Sequence, residues 1–207
     1  MQQVERALDQ IDQSASRVRI APMAEVREPA RLPHPLTDIL GRDTDIEALV
    51  GLLAKHRLVT LTGSGGTGKT RLAIAAAREA LPHFPDGAVF VDLATIADPS
   101  LVCSKLIEAL GFQKSPGTPQ IETLHAGLAE KRILLVLDNF EQIVDAAGFV
   151  GELVQASPAV TVLITSRIPL QLPGERVFLV SPLAVPEQDR STDLLELSTN
   201  PAIQLFV

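Results

Sequence analysis

The chain has 207 residues, and at the roughly 150 residues of an average domain this allows one domain with an appendage and excludes a large multidomain machine. Hydrophobic residues make up 46% and charged residues 21%, a balance that supports a sizeable core and excludes wholesale disorder. Eighteen Lys and Arg against 25 Asp and Glu give a net charge of -7, which argues against general nucleic-acid binding, and with no Trp or Tyr there is little for bases to stack on. The single cysteine, Cys103, excludes an internal disulfide and a cysteine-based zinc site; a small buried thiol in a reducing cytoplasm is expected. No apolar run approaches the roughly 18 residues of a membrane span, and the start MQQVERALDQ lacks the apolar core of a signal peptide.

In chain order, Val4, Leu8, Ile11, Ala15 and Val18 predict an amphipathic helix over 3–18. Pro22, Pro29, Pro33 and Pro35 then predict an extended connector rather than an element of the core, which places a domain boundary near residue 36. Thr44 with Glu47 reads as a capping box for a helix over 44–55, whose apolar stripe is Ile46, Leu49, Val50 and Leu53. Five strand-sized apolar runs follow, at 57–62, 88–93, 132–138, 160–166 and 176–180. Helical spacing fills 68–81, 99–111, 120–131 and 141–156 between them. Alternation of this kind predicts an α/β fold, a parallel sheet with helices on both faces.

Between the first run and the next helix stands GSGGTGKT, Gly63 to Thr70, a match to the phosphate-binding pattern G-x-x-x-x-G-K-[ST]. Gly63, Gly65, Gly66 and Gly68 permit close backbone approach, so that amide protons converge on a phosphate at the N-terminus of a helix. Ser64, Thr67 and Arg71 complete the candidate nucleotide-binding set. Lys69 is a compact charge able to reach the β- and γ-phosphates, and the Thr70 hydroxyl can take one position on Mg²⁺.

Such a site needs an acid on a neighbouring strand end, and ILLVLD supplies Asp138 as the second magnesium residue. Fast hydrolytic enzymes place another acid directly after it; here that place is Asn139, which can orient a water but cannot take its proton. Slow turnover is therefore expected. Glu141 is a candidate base, set against the plainer role of a first-turn acid favoured by the helix dipole. Arg167, in the TSR that ends the fourth run, falls at the same sheet edge and could contact a γ-phosphate. His34, His56, His83 and His125 are too scattered for a metal site and read as surface or loop residues.

The blocks LPHPLTDILGRDTDIEAL, RLVTLTGSGGTGKTRLA, GAVFVDLATIADPSLV, ILLVLDNFEQ and VTVLITSRIPLQLPGERVFLVSPL, taken together, resemble the ATPase core of the STAND class. This class of signal-transduction ATPases is related to the NB-ARC domains of apoptotic and plant-resistance proteins. The bacterial branch found in large transcription regulators is the nearest likeness, and it runs from about Leu32 to Pro186. The resemblance implies a three-layer P-loop NTPase with a five-stranded sheet in the order 5-1-4-3-2. It implies that Gly41 and Arg42 pack near adenine and ribose, that Lys69 and Thr70 are the Walker A pair, that Asp138 is the Walker B acid, and that Arg167 is a γ-phosphate sensor. It also implies a nucleotide switch, held off with ADP and allowed to self-associate with ATP.

The domain expectations are thus a helix and Pro-rich linker at 1–36, the NTPase core at 37–187, and the start of a truncated helical subdomain at 188–207. Effector and sensor domains would lie outside the chain, and no direct contact with nucleic acid or membrane is expected of it. Two other readings stay open: a P-loop enzyme with fast ATPase or kinase activity, and a non-catalytic nucleotide-binding scaffold.

Overall fold

A computed structural model describes residues 31–113, 117–183 and Ala202. The helix expected over 3–18 and nearly all of 188–207 lie outside the described residues. Ten strands and α-helices follow one another within 31–183, among the described residues: α1 (Asp43–Leu53), β1 (Leu58–Thr62), α2 (Lys69–Glu79), β2 (Ala88–Asp92), α3 (Val102–Leu110), α4 (Gln120–Leu128), β3 (Leu134–Asp138), α5 (Ala147–Ala156), β4 (Thr161–Ser166) and β5 (Arg176–Leu179). The strands are all parallel and lie in the order β2-β3-β4-β1-β5, which read from the other edge is the expected 5-1-4-3-2.

Alternation of side chains across each strand divides the core in two. Leu135 and Leu137 of β3 and Val162 and Ile164 of β4 face α3, α4 and α5, in a cluster with Leu106, Leu124 and Leu153. Leu134 and Val136 of β3, Leu163 of β4 and Val59 and Leu61 of β1 face the other way, against Leu49 and Leu53 of α1 and Leu72, Ala73, Ala76 and Ala77 of α2. Alanines on α2 bring that helix close to the sheet, which carries the N-terminus of α2, and the loop before it, over the strand ends. Edge strand β5 is buried least: Val177 and Leu179 are exposed while Phe178 packs inward.

Several local expectations are corrected. Helix α1 starts at Asp43, with Arg42 at the cap position and no side-chain capping bond, so Thr44 and Glu47 form no capping box. The start is fixed instead by Arg42, whose guanidinium pairs with Asp45 at 2.8 Å. The segment 141–156 is not one helix: two 3-10 turns, Phe140–Gln142 and Val144–Ala146, precede α5. The two turns are separated at Ile143, whose φ of -139° is not helical, and Phe140, Ile143 and Ala146 are all buried. Cys103 is half-buried at the rim of the core rather than enclosed in it.

The end of the Pro-bearing connector joins the sheet edge. Arg31 forms a parallel bridge with Val89, its N–H donating to Ala88 O at 2.8 Å and its carbonyl accepting from Phe90 N at 3.1 Å. Its guanidinium caps α3 by donating to Ala109 O at 2.7 Å, and Leu32 is buried in the α1–α2 cluster. Among the described residues, no helix is long and apolar enough to cross a membrane.

Candidate functional site

The loop from Gly63 to Gly68 joins the end of β1 to the first turn of α2. Val180 N donates to Thr62 O at 2.7 Å, which draws the chain beyond β5 against the start of the loop. A Cβ at Gly63 would lie 2.7 Å from Val180 O, so only glycine fits there. Gly68 caps α2 with φ 85°, a left-handed conformation that turns the preceding amides toward the helix axis. At Gly65, Gly66 and Gly68 an added Cβ would meet no protein atom within 4 Å, so these positions face open space. Lys69 is buried and its ammonium folds back over the loop, donating to Gly63 O and Ser64 O at 2.9 Å each. Thr67 closes the turn by donating to Ser64 O at 3.0 Å. A concave loop with an ammonium across it and a helix N-terminus behind it suits an anion.

Asp138 ends β3 beside the loop and is buried, with 3% relative exposure. Thr70 Oγ1 donates to its two oxygens at 2.8 and 3.0 Å, Thr165 Oγ1 donates to Oδ1, and Asn139 Nδ2 donates to Oδ2 at 3.0 Å. These donors are all neutral. Burial pushes the Asp138 carboxyl above the usual carboxylate range; the Thr165 and Thr70 hydroxyls pull it back, and the charges of Asp92 and Glu141 push it further up. A buried carboxylate beside a hydroxyl is a donor pair that would suit a divalent cation. Among the described residues, no group of three His, Cys, Asp or Glu could hold a metal ion unaided.

Asn139, φ 61°, turns the chain so that Phe140 drops into the core. Glu141 follows, and its Oε1 accepts from Arg167 Nε at 3.2 Å. The Arg167 side chain is 63% exposed and the Glu141 side chain 15%. Glu141 Oε2 is buried and has no hydrogen-bond partner among the described residues. Ser166 pairs in register with Thr62, so Arg167 does stand at the sheet edge that carries the loop.

A cavity of about 470 Å³ opens on the other side of the loop, bounded by Ser64 to Gly68, Arg42 and Arg71. Its apolar walls are Ile39 with Leu40 and Pro182 with Leu183. Arg42, 8% exposed, joins these parts: its Nη2 donates to Thr67 O at 3.2 Å and to Ser181 O at 2.6 Å, while Nη1 pairs with Asp45. Arg71 donates to the Thr37 and Asp38 carbonyls and so holds the irregular segment that carries Ile39 over the cavity. Gly41, exposed and with φ 63°, turns the chain into Arg42 and is not among the lining residues.

The structure therefore brings together Lys69, Thr70, Asp138 and Asn139 on one side of the loop, and Arg42 and Arg71 on the other. Sequence reasoning missed Ile39, Leu40, Pro182 and Leu183, as well as Thr165 and Asp92. An apolar pair before Gly-Arg and a Ser-Pro-Leu after a strand were the available signals for the cavity walls.

No family model matches the chain. An uncharacterized protein of Mycobacterium tuberculosis is 37% identical over 173 residues, covering 83% of this chain and 41% of that protein. Regulatory protein AfsR of Streptomyces griseus is 32% identical over 200 residues, covering 90% of this chain and 19% of its own length. The chain thus spans less than half the length of these relatives. Among solved structures, Cdc6p from Pyrobaculum aerophilum superposes with a TM-score of 0.53 at 19% identity, over 71% of this chain and 47% of that one. A Signal Transduction ATPase with Numerous Domains (STAND) protein with a tetratricopeptide repeat sensor, from Pyrococcus horikoshii, gives 0.50 at 17% identity, over 79% and 26%. The strand order, the loop after β1 and these likenesses agree on a P-loop NTPase fold, and the sequence relatives include a protein named as a regulator.

Proposed function

We propose that the chain is the nucleotide-switch module of a STAND-type, NB-ARC-like transcription regulator, which binds ATP or ADP with Mg²⁺ and hydrolyses ATP slowly. The observation that carries this reading is the contact of Thr70 with buried Asp138 at the mouth of the glycine loop, with an apolar-walled cavity on the loop's far side. The amides of Gly65 to Lys69 hold the phosphates, Lys69 leaves its two loop carbonyls to neutralise them, and Thr70 and Asp138 hold Mg²⁺. When bound, the cation withdraws charge from the phosphate oxygens. Ile39, Leu40, Pro182 and Leu183 would line the place of the adenine, and Arg42 links that pocket both to the loop and to the chain leaving β5. Hydrolysis is slow because Glu141, the candidate base, is engaged with Arg167. In the whole protein, ATP promotes self-association in the cytoplasm, and effector and sensor domains lie outside this chain.

The test is calorimetric titration with ADP and ATP, with and without Mg²⁺. ADP binding that tightens with Mg²⁺ and falls by roughly ten- to a hundredfold in Lys69→Ala is expected, as for loss of a charged hydrogen-bond partner. A folded chain that binds neither nucleotide overturns the proposal.

A further inference from the structure

Parallel pairing of β2 with β3 sets Asp92 opposite Asp138, the last residues of the two strands. Two carboxylates side by side across a pair of strands repel each other, and one of these is buried. The amide of Asn139 lies between them: Nδ2 donates to Asp92 Oδ1 and to Asp138 Oδ2, each at 3.0 Å. The backbone N–H of Asn139 donates to Thr165 Oγ1 at 3.0 Å, and that hydroxyl in turn donates to Asp138. Asp92 is itself fixed, since the same Oδ1 accepts from Ala94 N at 2.9 Å. A left-handed φ would accept Asn, Asp or Gly at this position, so the backbone does not select the amide. Two acceptors facing one side chain do, because an amide nitrogen carries two donors and a carboxylate none.

We infer that Asn139 is a positioning residue: its amide ties Asp92 to Asp138 across the ends of β2 and β3 and holds the Asp138 carboxylate against Thr70. An acid at this position breaks the tie instead of speeding hydrolysis. This reverses the expectation that Asn139 stands where a catalytic acid is lacking. As far as Mg²⁺ is concerned, the inference rests on the nucleotide-site reading above; the tie itself does not.

Four variants test it: Asn139→Gly, which keeps the backbone conformation and deletes the amide; Asn139→Asp, which keeps the shape and adds a third carboxylate; Asp92→Asn, which removes a charge; and the exchange Asp92→Asn with Asn139→Asp. The first measurement is thermal melting without nucleotide. Asn139→Asp is expected to melt several degrees lower, Asp92→Asn at or above the unaltered chain, and the exchange to recover most of the loss, because the amide moved to position 92 can then donate to the carboxylate moved to position 139. Strictly additive shifts would overturn the tie.

The second measurement is ADP affinity with and without Mg²⁺. Asn139→Gly should lower the Mg²⁺-dependent gain about tenfold and leave Mg²⁺-free affinity unchanged, as expected for loss of an outer partner of a metal ligand. Equal losses in both conditions would mean a merely structural role, and a rise in ATP turnover in Asn139→Asp would restore the catalytic reading. Should the unaltered chain bind no nucleotide, the switch proposal falls, and melting alone still decides whether Asn139 ties the two acids.

Discussion

The two ends of the sheet are built from opposite materials. At the C-terminal ends of the strands, Thr62, Asp138, Thr165 and Ser166 are buried polar groups, and Asp92 and Glu141 stand beside them. At the N-terminal ends, Lys55, His56, Arg57, His83 and Arg132 surround a shallow cavity of about 180 Å³. Helix C-termini explain the second set. Arg57 donates to the carbonyls of Val154, Ser157 and Pro158 as α5 ends, and Lys55 and His56 follow the end of α1. The first set has no such explanation. Threonine hydroxyls and an amide gather around a carboxylate there, with no cation of the described residues among its hydrogen-bond partners, an arrangement that costs stability unless a ligand repays it. One end therefore serves the fold, and the other, in the switch we propose, serves the nucleotide.

The largest expected effect tests how far the fold supports the ligand end. Phe140 is fully buried directly after Asn139, and Phe140→Ala should destabilise by about 3–5 kcal/mol, read by chemical denaturation. Next comes the contrast itself. Lys69→Ala should cost roughly ten- to a hundredfold in ADP affinity with little change in the melting temperature. Arg57→Ala should do the reverse, lowering stability by about 1–3 kcal/mol and leaving ADP affinity as it was. If either variant moved both quantities together, the separation of the two ends would fail.

The smallest effect sharpens the cost at Asp138. Its folded carboxyl titrates above the ordinary value of 3.8, so as pH rises through the interval between the two, the unfolded chain releases a proton that the folded chain keeps. Stability falls across that interval, and the deficit remains above it. Asp138→Asn should therefore melt higher than the unaltered chain at neutral pH without ligand, and the difference should vanish as pH drops below the ordinary carboxylate value. The same substitution should remove Mg²⁺-dependent ADP binding, because the cation needs the ionised form.

Features carried by a few contiguous residues were legible in the sequence. GSGGTGKT identifies a turn between strand and helix by its own spacing, and ILLVLD ends a buried strand in an acid; the structure puts Thr70 and Asp138 2.8 Å apart. Features that depend on register were not legible. Nothing in AVFVDL says that Asp92 stops level with Asp138, since a shift of one residue would turn its side chain to the other face. The walls of the cavity come from segments about 140 residues apart in sequence, joined by the Arg42 bond to Ser181 O across 139 positions. Apolar spacing over 140–146 was ambiguous for a different reason: periods of 3 and 3.6 barely diverge within two turns, and the non-helical backbone of Ile143, which splits the segment into two 3-10 turns, leaves no mark in that spacing.

The pairing of Arg31 with the outer edge of β2 has a mechanical consequence. The chain joins the sheet at one extreme of the strand order and leaves it at the other, after β5. Tension between Arg31 and Leu183 is therefore borne in series by four complete strand pairings and by one attachment a single residue long. Two backbone hydrogen bonds and the Arg31 guanidinium make up that attachment, so it yields first and leaves the row from β2 to β5, and the loop it supports, intact.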